Sequence, residues 1–358
     1  MAKKIIFTGG GSAGHVTLNL ALIPIFLQKG WNVTYIGSYN GIEKELVAKI
    51  KGVEYVSIST GKLRRYFSWQ NFIDMIKIPV GIIQAIWIVF KQKPDIVFSK
   101  GGFVSFPVVV AAKVNGVKCV MHESDVTPGL ANKMSLPFVS KFFTTFEDTI
   151  KYVKNKSKVD CVGPVLSDRL ENGDKTGACQ VCGFDENKPI IMIIGGSLGA
   201  KSINETVRNN LPQLIKKYQI IHICGKGNVA NDINVKGYRQ FDYVSDELKD
   251  FMAASDVVIS RAGSNSIFEL LSLNKPMILV PLSGASSRGE QMLNAKSFQH
   301  KGYCEIVADD KLTENNLLLD TLDKVYIGRE TYIANMKSSG FKATNNYDLV
   351  EKIIKTDK

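Results

Sequence analysis

Short apolar runs alternate with longer amphipathic stretches along the whole chain of 358 residues. Runs of four to eight apolar residues are typical of buried strands, and the stretches between them are typical of helices. Strands that alternate with helices predict βαβ units and therefore parallel sheets. The predicted strands are 4–8, 32–36, 54–58, 95–99, 118–122, 142–145 and 159–162, followed by 190–194, 219–224, 256–260, 276–280 and 303–307.

The two halves of the chain resemble each other. Residues 5–14 and 191–200 each form an apolar strand that breaks into a glycine-rich turn and opens a helix. At roughly 100–200 residues per domain, the length also predicts two domains. We place the boundary at Gly163-Pro164 and predict an α/β fold of two Rossmann-like, doubly wound parallel-sheet domains, 1–163 and 164–341.

Charge separates the halves more clearly than composition does. With 45% hydrophobic and 22% charged residues the chain has ordinary globular usage, which excludes a disordered, collagen-like or disulfide-framework protein. The six cysteines are scattered, as in a reduced cytosolic protein, and MAKKIIFTGG is a first strand rather than a signal peptide. Residues 1–163 hold 21 basic and 10 acidic residues, whereas the remainder holds 24 of each, so the net charge of +11 lies in the first half. An acidic partner, either a membrane surface or nucleic acid, is expected to meet that half.

Residues 75–90 are strongly apolar but fall short of the ~20 residues that span a bilayer. One interpretation is a helix that covers the sheet. The other is a helix whose outer face dips into a membrane interface between flanking basic residues. The apolar residues of that face would be Phe67, Trp69, Phe72 and Ile76, and the basic residues Lys62, Arg64, Arg65 and Lys77.

Three glycine-rich turns follow predicted strands, and each would present backbone N–H groups to an anion. The first, Gly9-x-Gly11-x-x-Gly14, matches the dinucleotide fingerprint, but no acidic residue ends the second strand to hold a ribose. His15 follows it, either as a surface histidine or as a base kept neutral by the helix N-terminus. The other two turns contain Lys100, Gly101 and Gly102, and Ser197. Together they predict a cleft between the domains that binds phosphates.

Three further polar groups follow strands or open helices. In 261–269, Ser266 and Glu269 fit a capping box, or the turn binds a diphosphate while Glu269 accepts hydrogen bonds from two vicinal sugar hydroxyls. Glu290 and Gln291 stand at a helix start, where they would meet sugar hydroxyls. Glu123 and Asp125 end the fifth strand, but as a metal pair they lack a third ligand.

Taken together, these motifs resemble the MurG family, the peripheral membrane N-acetylglucosaminyltransferases of bacterial cell-wall synthesis. The matching stretches are 8–15, 100–107, 122–133, 195–200, 261–269 and 288–295. The resemblance implies the GT-B architecture, UDP-N-acetylglucosamine as donor and lipid I (undecaprenyl-diphospho-N-acetylmuramoyl-pentapeptide) as acceptor. It also implies inversion at the anomeric carbon with no metal or other cofactor, no nucleic-acid partner, and a place on the cytoplasmic face of the cell membrane.

The resemblance implies roles for individual residues, and its last helix, about 342–358, would return to the first domain. The second domain would hold the donor, with Ser197, Gly263, Ser264, Asn265 and Ser266 on the diphosphate, Glu269 on the ribose, the Val244 backbone on the uracil, and Gln291 with Glu290 on the sugar. The acceptor side would comprise Ser12, Ala13, Gly14, His15, Lys100, Gly101 and Gly102. His15 is the leading base, with Asp125 and Glu123 as rivals. Leu166 stands where many members carry an arginine for the base, and Arg169 is a candidate substitute.

Three other functions fit parts of the pattern. A related UDP-sugar transferase could act on another lipid such as diacylglycerol, although the 122–133 stretch argues against it. A nucleotide-sugar epimerase would leave the one-sided charge unexplained. A non-catalytic anion-binding protein on a membrane would bind a UDP-sugar without turnover.

Overall fold

The structure, a computed structural model, describes residues 2–61, 69–166, 168–196, 199–283, 289–314 and 316–357. The chain forms two compact units: unit 1 is Met1–Val165 with Thr344–Lys358, and unit 2 is Leu166–Ala343. The division thus falls two residues after the Gly163-Pro164 step. Each unit contains one parallel sheet, so the predicted α/β class with two doubly wound sheets is confirmed.

Unit 1 is built on a seven-stranded sheet in the order β3-β2-β1-β4-β5-β6-β7, with every neighbouring pair parallel. Its strands are β1 (Lys4–Thr8), β2 (Asn32–Ser38), β3 (Val53–Ile58), β4 (Ile96–Ser99), β5 (Lys118–Glu123), β6 (Lys141–Thr144) and β7 (Val159–Cys161). Its first helices are α1 (Thr17–Gln28), α2 (Ile42–Val47), α3 (Trp69–Gln92), α4 (Ser105–Val114) and α5 (Leu130–Ser135), with 3-10 helices at Ala13–His15, Glu147–Tyr152 and Lys156–Lys158.

Unit 2 has a six-stranded parallel sheet in the order β10-β9-β8-β11-β12-β13. Its strands are β8 (Ile190–Ile194), β9 (Gln219–Ile223), β10 (Tyr238–Phe241), β11 (Val257–Ser260), β12 (Met277–Leu279) and β13 (Cys304–Ile306). Its helices are α6 (Lys175–Cys182), α7 (Lys201–Asn209), α8 (Leu211–Lys217), α9 (Leu248–Ala254), α10 (Ser264–Ser272), α11 (Glu290–His300), α12 (Leu317–Ile327) and α13 (Arg329–Ser338), with 3-10 helices at Asp168–Leu170 and Asp309–Lys311.

The last helix, α14 (Asn346–Asp357), belongs to unit 1 although 178 residues of unit 2 precede it in the chain. Leu349, Val350 and Ile353 are fully buried in the same hydrophobic cluster as Phe7 and Phe98 of the sheet. The opposite face of that sheet packs against α3 and α4. Because both faces are covered, the central strands β1 and β4 are continuous apolar runs rather than alternating ones.

The strand order reverses between β1 and β4 in unit 1 and between β8 and β11 in unit 2. Open α/β sheets bind ligands at the carboxyl ends of the strands beside such a reversal. The glycine-rich turns found in the sequence follow β1, β4 and β8, and the 261–263 turn follows β11. The topology therefore brings each predicted phosphate turn to the edge where a ligand would bind.

Candidate functional site

The first two glycine turns meet at the carboxyl edge of the unit 1 sheet. The Gly10 N–H donates to the Gly101 carbonyl at 3.3 Å, and the Lys100 N–H donates to the Thr8 carbonyl at 2.9 Å. Gly102 has φ +87°, and a Cβ there would lie 2.1 Å from the Gly10 carbonyl oxygen. Glycine is thus required at position 102 by both conformation and contact.

A buried carboxylate that the sequence did not single out holds the first turn. Glu43 Oε1 accepts from the Ser38 N–H at 3.1 Å and from the Ser38 hydroxyl at 2.5 Å, while Oε2 accepts from the Gly11 N–H at 3.3 Å. Glu43 is fully buried. Glu43 is the first acidic residue after β2, and its carboxylate is used to hold the turn. It therefore does not serve as the acidic residue that binds a ribose in dinucleotide-binding proteins.

His15 lies where the sequence places it, at the entrance to α1. The 3-10 helix Ala13–His15 ends two residues before α1, and the His15 N–H donates to the Ser12 carbonyl at 3.1 Å. The His15 side chain is half-buried, and Ser12 and Gly14 are exposed, while the side chain of Ala13 lies outside the described residues. The ring thus has partial access to solvent close to the N-terminus of α1.

Glu123 organises the loop that follows β5. Its buried carboxylate accepts from the N–H groups of Ser124 (2.9 Å), Asp125 (3.2 Å) and Gly129 (2.9 Å) and from the amide of Asn132 (2.9 Å). Asp125 is half-buried beside it. Four hydrogen bonds from the protein engage Glu123, so Asp125 is the better placed of the two rivals to His15. In the described part of the chain no three His, Cys, Asp or Glu side chains converge on a metal-sized site.

Two buried bases lie at the same edge. The Lys100 ammonium donates to the Ser124 hydroxyl, and burial lowers the pKa of Lys100 against the opposing effect of the Glu123 and Asp125 carboxylates. His122 is buried in β5, where desolvation and the nearby Lys100 charge hold its pKa well below the ordinary value. Lys100, proposed from the sequence for the acceptor side, thus lies beneath the turns rather than on the surface.

In unit 2 the turn after β11 is open. Gly263 is the N-cap of α10 with φ −69° and ψ 138°, and a Cβ there would have no heavy atom within 4 Å. Ser266 is the third residue of the helix and not its cap, so the capping-box interpretation of Ser266 and Glu269 is wrong. Glycine has no side chain to cap the helix, and the first backbone N–H groups of a helix are donors suited to an anion.

Glu269 lies in the second turn of α10 and forms an ion pair within unit 2. Its Oε1 accepts from Arg169 Nη2 at 3.0 Å, and its side chain is 21% exposed. Arg169 extends from the 3-10 helix Asp168–Leu170 and is 63% exposed. Arg169, the candidate substitute for the family arginine, therefore contacts Glu269, the residue predicted to bind the ribose. The sequence analysis did not predict this contact.

Arg261 connects the turn after β11 to three other segments of unit 2. Its guanidinium donates to Asp309 Oδ1 at 2.6 Å, to the Val280 carbonyl at 3.2 Å and to the Ser202 hydroxyl at 3.0 Å. These partners follow β12, open α7 and lie in the last 3-10 helix of the unit. Arg261 thereby ties four segments together at the carboxyl edge of the unit 2 sheet.

The remaining residues predicted to bind the donor lie in loops that follow unit 2 strands or at the starts of unit 2 helices. Val244 is buried in the loop after β10, and Glu290 and Gln291 are the half-buried first residues of α11. Gln291 Oε1 accepts from the Leu282 N–H at 2.9 Å. Ser264, Asn265 and Ser266 form the first turn of α10, and Ser197 lies outside the described residues.

The outer face of α3 carries an exposed apolar stripe, which we define as Ile76, Val80, Ile83, Trp87 and Phe90. Four of these five side chains are more than 60% exposed. Lys62, Arg64, Arg65 and Phe67 lie outside the described residues, as do the side chains of Trp69 and Phe72. Of the predicted membrane residues, Ile76 and Lys77 can therefore be placed, and both are exposed. The sequence missed the other four residues of the stripe, although their spacing of four and three residues marks one helix face. Within the described ranges, no helix has the length and apolar character to cross a membrane.

Comparison with known proteins matches both units to domains of one glycosyltransferase family. Residues 5–144 match the glycosyltransferase family 28 N-terminal domain, and residues 190–353 match the family 28 C-terminal domain. The chain is 52% identical over 355 residues, 98% of each chain, to the UDP-N-acetylglucosamine–N-acetylmuramyl-(pentapeptide) pyrophosphoryl-undecaprenol N-acetylglucosamine transferase of Clostridium tetani. It is 51% identical over 341 residues, 95% of each chain, to the enzyme of that name from Geobacillus thermodenitrificans. The crystal structure of Acinetobacter baumannii MurG has the same fold, with a TM-score of 0.78, 22% identity and 99% coverage of both chains.

Proposed function

The chain belongs to glycosyltransferase family 28, and from that premise we propose that it transfers N-acetylglucosamine from UDP-N-acetylglucosamine to lipid I. The product would be lipid II, the precursor of peptidoglycan. The observation that carries this proposal is an identity of about one half, over nearly the full length, to transferases named for that reaction. The sites at the two sheet edges supply chemistry that fits it.

Unit 2 supplies the donor site in this proposal. The open Gly263 turn and the α10 N-terminus bind the diphosphate, and Glu269 accepts from the ribose hydroxyls. As the glycosidic bond breaks, negative charge grows on the departing UDP, and fixed backbone N–H groups stabilise it without reorganisation. We propose no role for a metal or other cofactor in this step.

Unit 1 supplies the acceptor site and the base. The attacking sugar hydroxyl has a high pKa, so a positioned base must take its proton as the new bond forms. His15 is our choice because its ring is partly accessible at a helix N-terminus that favours the neutral imidazole. Asp125 is the alternative base.

The direct test is turnover. The protein is incubated with UDP-N-acetylglucosamine and a lipid I analogue, and release of UDP is measured together with formation of the disaccharide. Matched reactions with diacylglycerol, and with no acceptor, test the other lipid transferases and the epimerase. Binding of UDP without any turnover would instead favour the non-catalytic function.

We further propose that unit 1 binds the cytoplasmic face of the bacterial membrane peripherally through the exposed stripe on α3. An apolar helix face in the interface, with cations that meet anionic lipid, is the usual arrangement of such proteins. Lys77 and Lys91 flank the stripe, and the Lys91 ammonium lies 5.2 Å from the Trp87 ring. The surplus of positive charge in unit 1 supports the same surface.

Vesicle binding tests this surface. Ile83→Ser with Trp87→Ser should weaken binding to phosphatidylglycerol vesicles about tenfold or more, since each buried apolar side chain contributes on the order of 1 kcal/mol or more. Ile327→Ser is the matched control, because Ile327 is 79% exposed on α12 of unit 2. Turnover of a short, water-soluble acceptor should be unchanged. Equal loss of vesicle binding in the control would refute the stripe as the contact.

A further inference from the structure

The ion pair between Arg169 and Glu269 joins residues 100 positions apart at the proposed donor site. We propose that Arg169 is a positioning residue for the donor: its guanidinium fixes the Glu269 carboxylate so that the second oxygen, Oε2, accepts from the ribose hydroxyls. This inference rests on the proposed function.

The segment that carries Arg169 is anchored to unit 2. Leu170 is buried, and the 3-10 helix Asp168–Leu170 contacts α9. Four residues further on, the Asp174 N–H donates to Asp250 Oδ1 at 2.7 Å. Gly173 approaches α9 so closely that a Cβ would lie 2.1 Å from the Lys249 carbonyl oxygen. The guanidinium is therefore presented to Glu269 from a fixed backbone.

The pair is poorly placed to stabilise the fold. An exposed ion pair contributes little to stability because solvent screens it and its side chains lose freedom. Arg169 is 63% exposed, so its charge is largely solvated. The contact thus bears mainly on the conformation of the Glu269 side chain.

The chemistry of the carboxylate leaves room for a ligand. A glutamate side chain has several rotatable bonds, and ordering it on binding costs conformational entropy. A carboxylate offers two oxygens and about four acceptor positions, and Arg169 occupies one of them through Oε1. A carboxylate held in advance at one oxygen can accept from a diol at the other with less ordering, which strengthens binding.

The experiment measures Kd by calorimetry for UDP and for 2′,3′-dideoxy-UDP, which lacks both ribose hydroxyls. Arg169→Ala should raise the Kd of UDP about 3- to 10-fold and leave that of the dideoxy ligand unchanged. Arg169→Lys should recover part of the loss. In a Glu269→Ala background, Arg169→Ala should have no further effect. In turnover, the donor KM should rise while kcat stays within about twofold.

The control is Lys217→Ala, which removes the pair with Asp323 on the same unit, where the lysine is also 63% exposed. It should leave both Kd values unchanged. An equal loss for the two ligands, no loss, or tighter UDP binding by Arg169→Ala would each overturn the inference while the proposed function stands. Failure of the wild-type protein to bind UDP would refute the proposed function and the inference with it.

Discussion

The first six strands of the unit 1 sheet have the same order as the six strands of the unit 2 sheet. The glycines at the carboxyl edges of the two sheets nevertheless differ in how closely they are packed. In unit 1, a Cβ at Gly102 would lie 2.1 Å from the Gly10 carbonyl, and one at Gly11 would lie 2.3 Å from the Phe103 ring. In unit 2, a Cβ at Gly196 or Gly263 would have no heavy atom within 4 Å. The unit 1 turns are packed and the Gly263 turn is open. The turn after β8 is mixed, since a Cβ at Gly195 would lie 2.5 Å from the Ala200 nitrogen and one at Gly199 would lie 2.1 Å from the Cys224 carbonyl oxygen. A glycine pattern therefore predicts the turn but not whether packing or ligand approach requires it.

Charge and buried polar groups differ in the same way. Unit 1 carries 24 basic and 13 acidic residues, and unit 2 carries 21 of each. At the unit 1 edge, the carboxylates of Glu43 and Glu123 are buried and accept hydrogen bonds from the backbone of neighbouring turns. At the unit 2 edge, Glu269 keeps part of its surface accessible beside Arg169. The first pair of carboxylates is thus engaged in holding backbone turns, whereas the third keeps surface for the ribose contact proposed above.

The largest expected effect tests His15, the proposed base at the unit 1 edge. His15→Ala should lower kcat by roughly 10²–10⁴-fold, the usual size of general-base catalysis. UDP affinity, measured by calorimetry, should hardly change, because the proposed donor site lies on unit 2. The acidic limb of the kcat/KM profile should also disappear.

Asp125→Ala is the comparison variant for that experiment. If Asp125→Ala loses turnover while His15→Ala keeps it, Asp125 is the base. If UDP binding collapses in His15→Ala, the ring contacts the diphosphate and the proton goes to another group.

Next in size is the cost of filling a packed turn. Gly102→Ala should reduce the free energy of unfolding by about 3 kcal/mol, since the left-handed conformation and the contact with the Gly10 carbonyl both oppose a Cβ. Urea denaturation measures it. A loss of less than about 1 kcal/mol, the value expected for Gly263→Ala at the open turn, would show that the unit 1 turns are not tightly packed.

The third prediction concerns the pH dependence of the unfolding free energy, to which a buried histidine of each unit contributes. His222 bonds Tyr238 and Asn204 at 2.9 Å each, and burial lowers its pKa to about 3. An unfolded histidine titrates near 6.5. Between these values the unfolded chain binds a proton that the folded chain does not, so stability falls as pH falls, by roughly 2 kcal/mol from pH 7 to 5. The lowered pKa of His122 in unit 1 acts with the same sign.

Denaturation at several pH values measures this effect. His222→Phe should flatten the pH dependence of the unfolding free energy, whatever it does to the absolute stability at pH 7. His300→Phe, at an exposed position at the end of α11, is the control. An unchanged slope in His222→Phe would contradict the role of the buried imidazole.

The smallest effect is expected at the open turn. Gly263→Ala should change the unfolding free energy by less than about 1 kcal/mol, because its φ of −69° suits any residue. It should nonetheless weaken UDP binding by about 1 kcal/mol, since the methyl group would enter the space proposed for the diphosphate. Calorimetry measures the affinity. Unaltered affinity would place the diphosphate away from this turn.

The strands could be predicted because most are uninterrupted apolar runs. β10 escaped because it is a four-residue edge strand in which Arg239 and Gln240 interrupt the apolar pattern. The start of α10 was ambiguous because Ser266 and Glu269 have the spacing of a capping box, whereas the helix begins at Ser264. Local spacing alone does not distinguish a cap from the first turn.

The side-chain partners at the sites could not be predicted, because tertiary structure chooses them. Helix α1 and strand β2 separate Glu43 from the turn that it holds, and Arg169 and Glu269 lie 100 residues apart. The exposed stripe on α3 is periodic in the sequence, but the face that packs against α4 is decided only in the folded unit. Periodicity therefore finds a stripe without showing which side solvent reaches.

The return of α14 to unit 1 sets an order on synthesis. Residues 166–343 complete unit 2 before the residues of α14 leave the ribosome. Until then the unit 1 sheet lacks Leu349, Val350 and Ile353, which fill one face of its core. Because α14 is translated after unit 2, unit 1 cannot bury that apolar face before unit 2 has been synthesised.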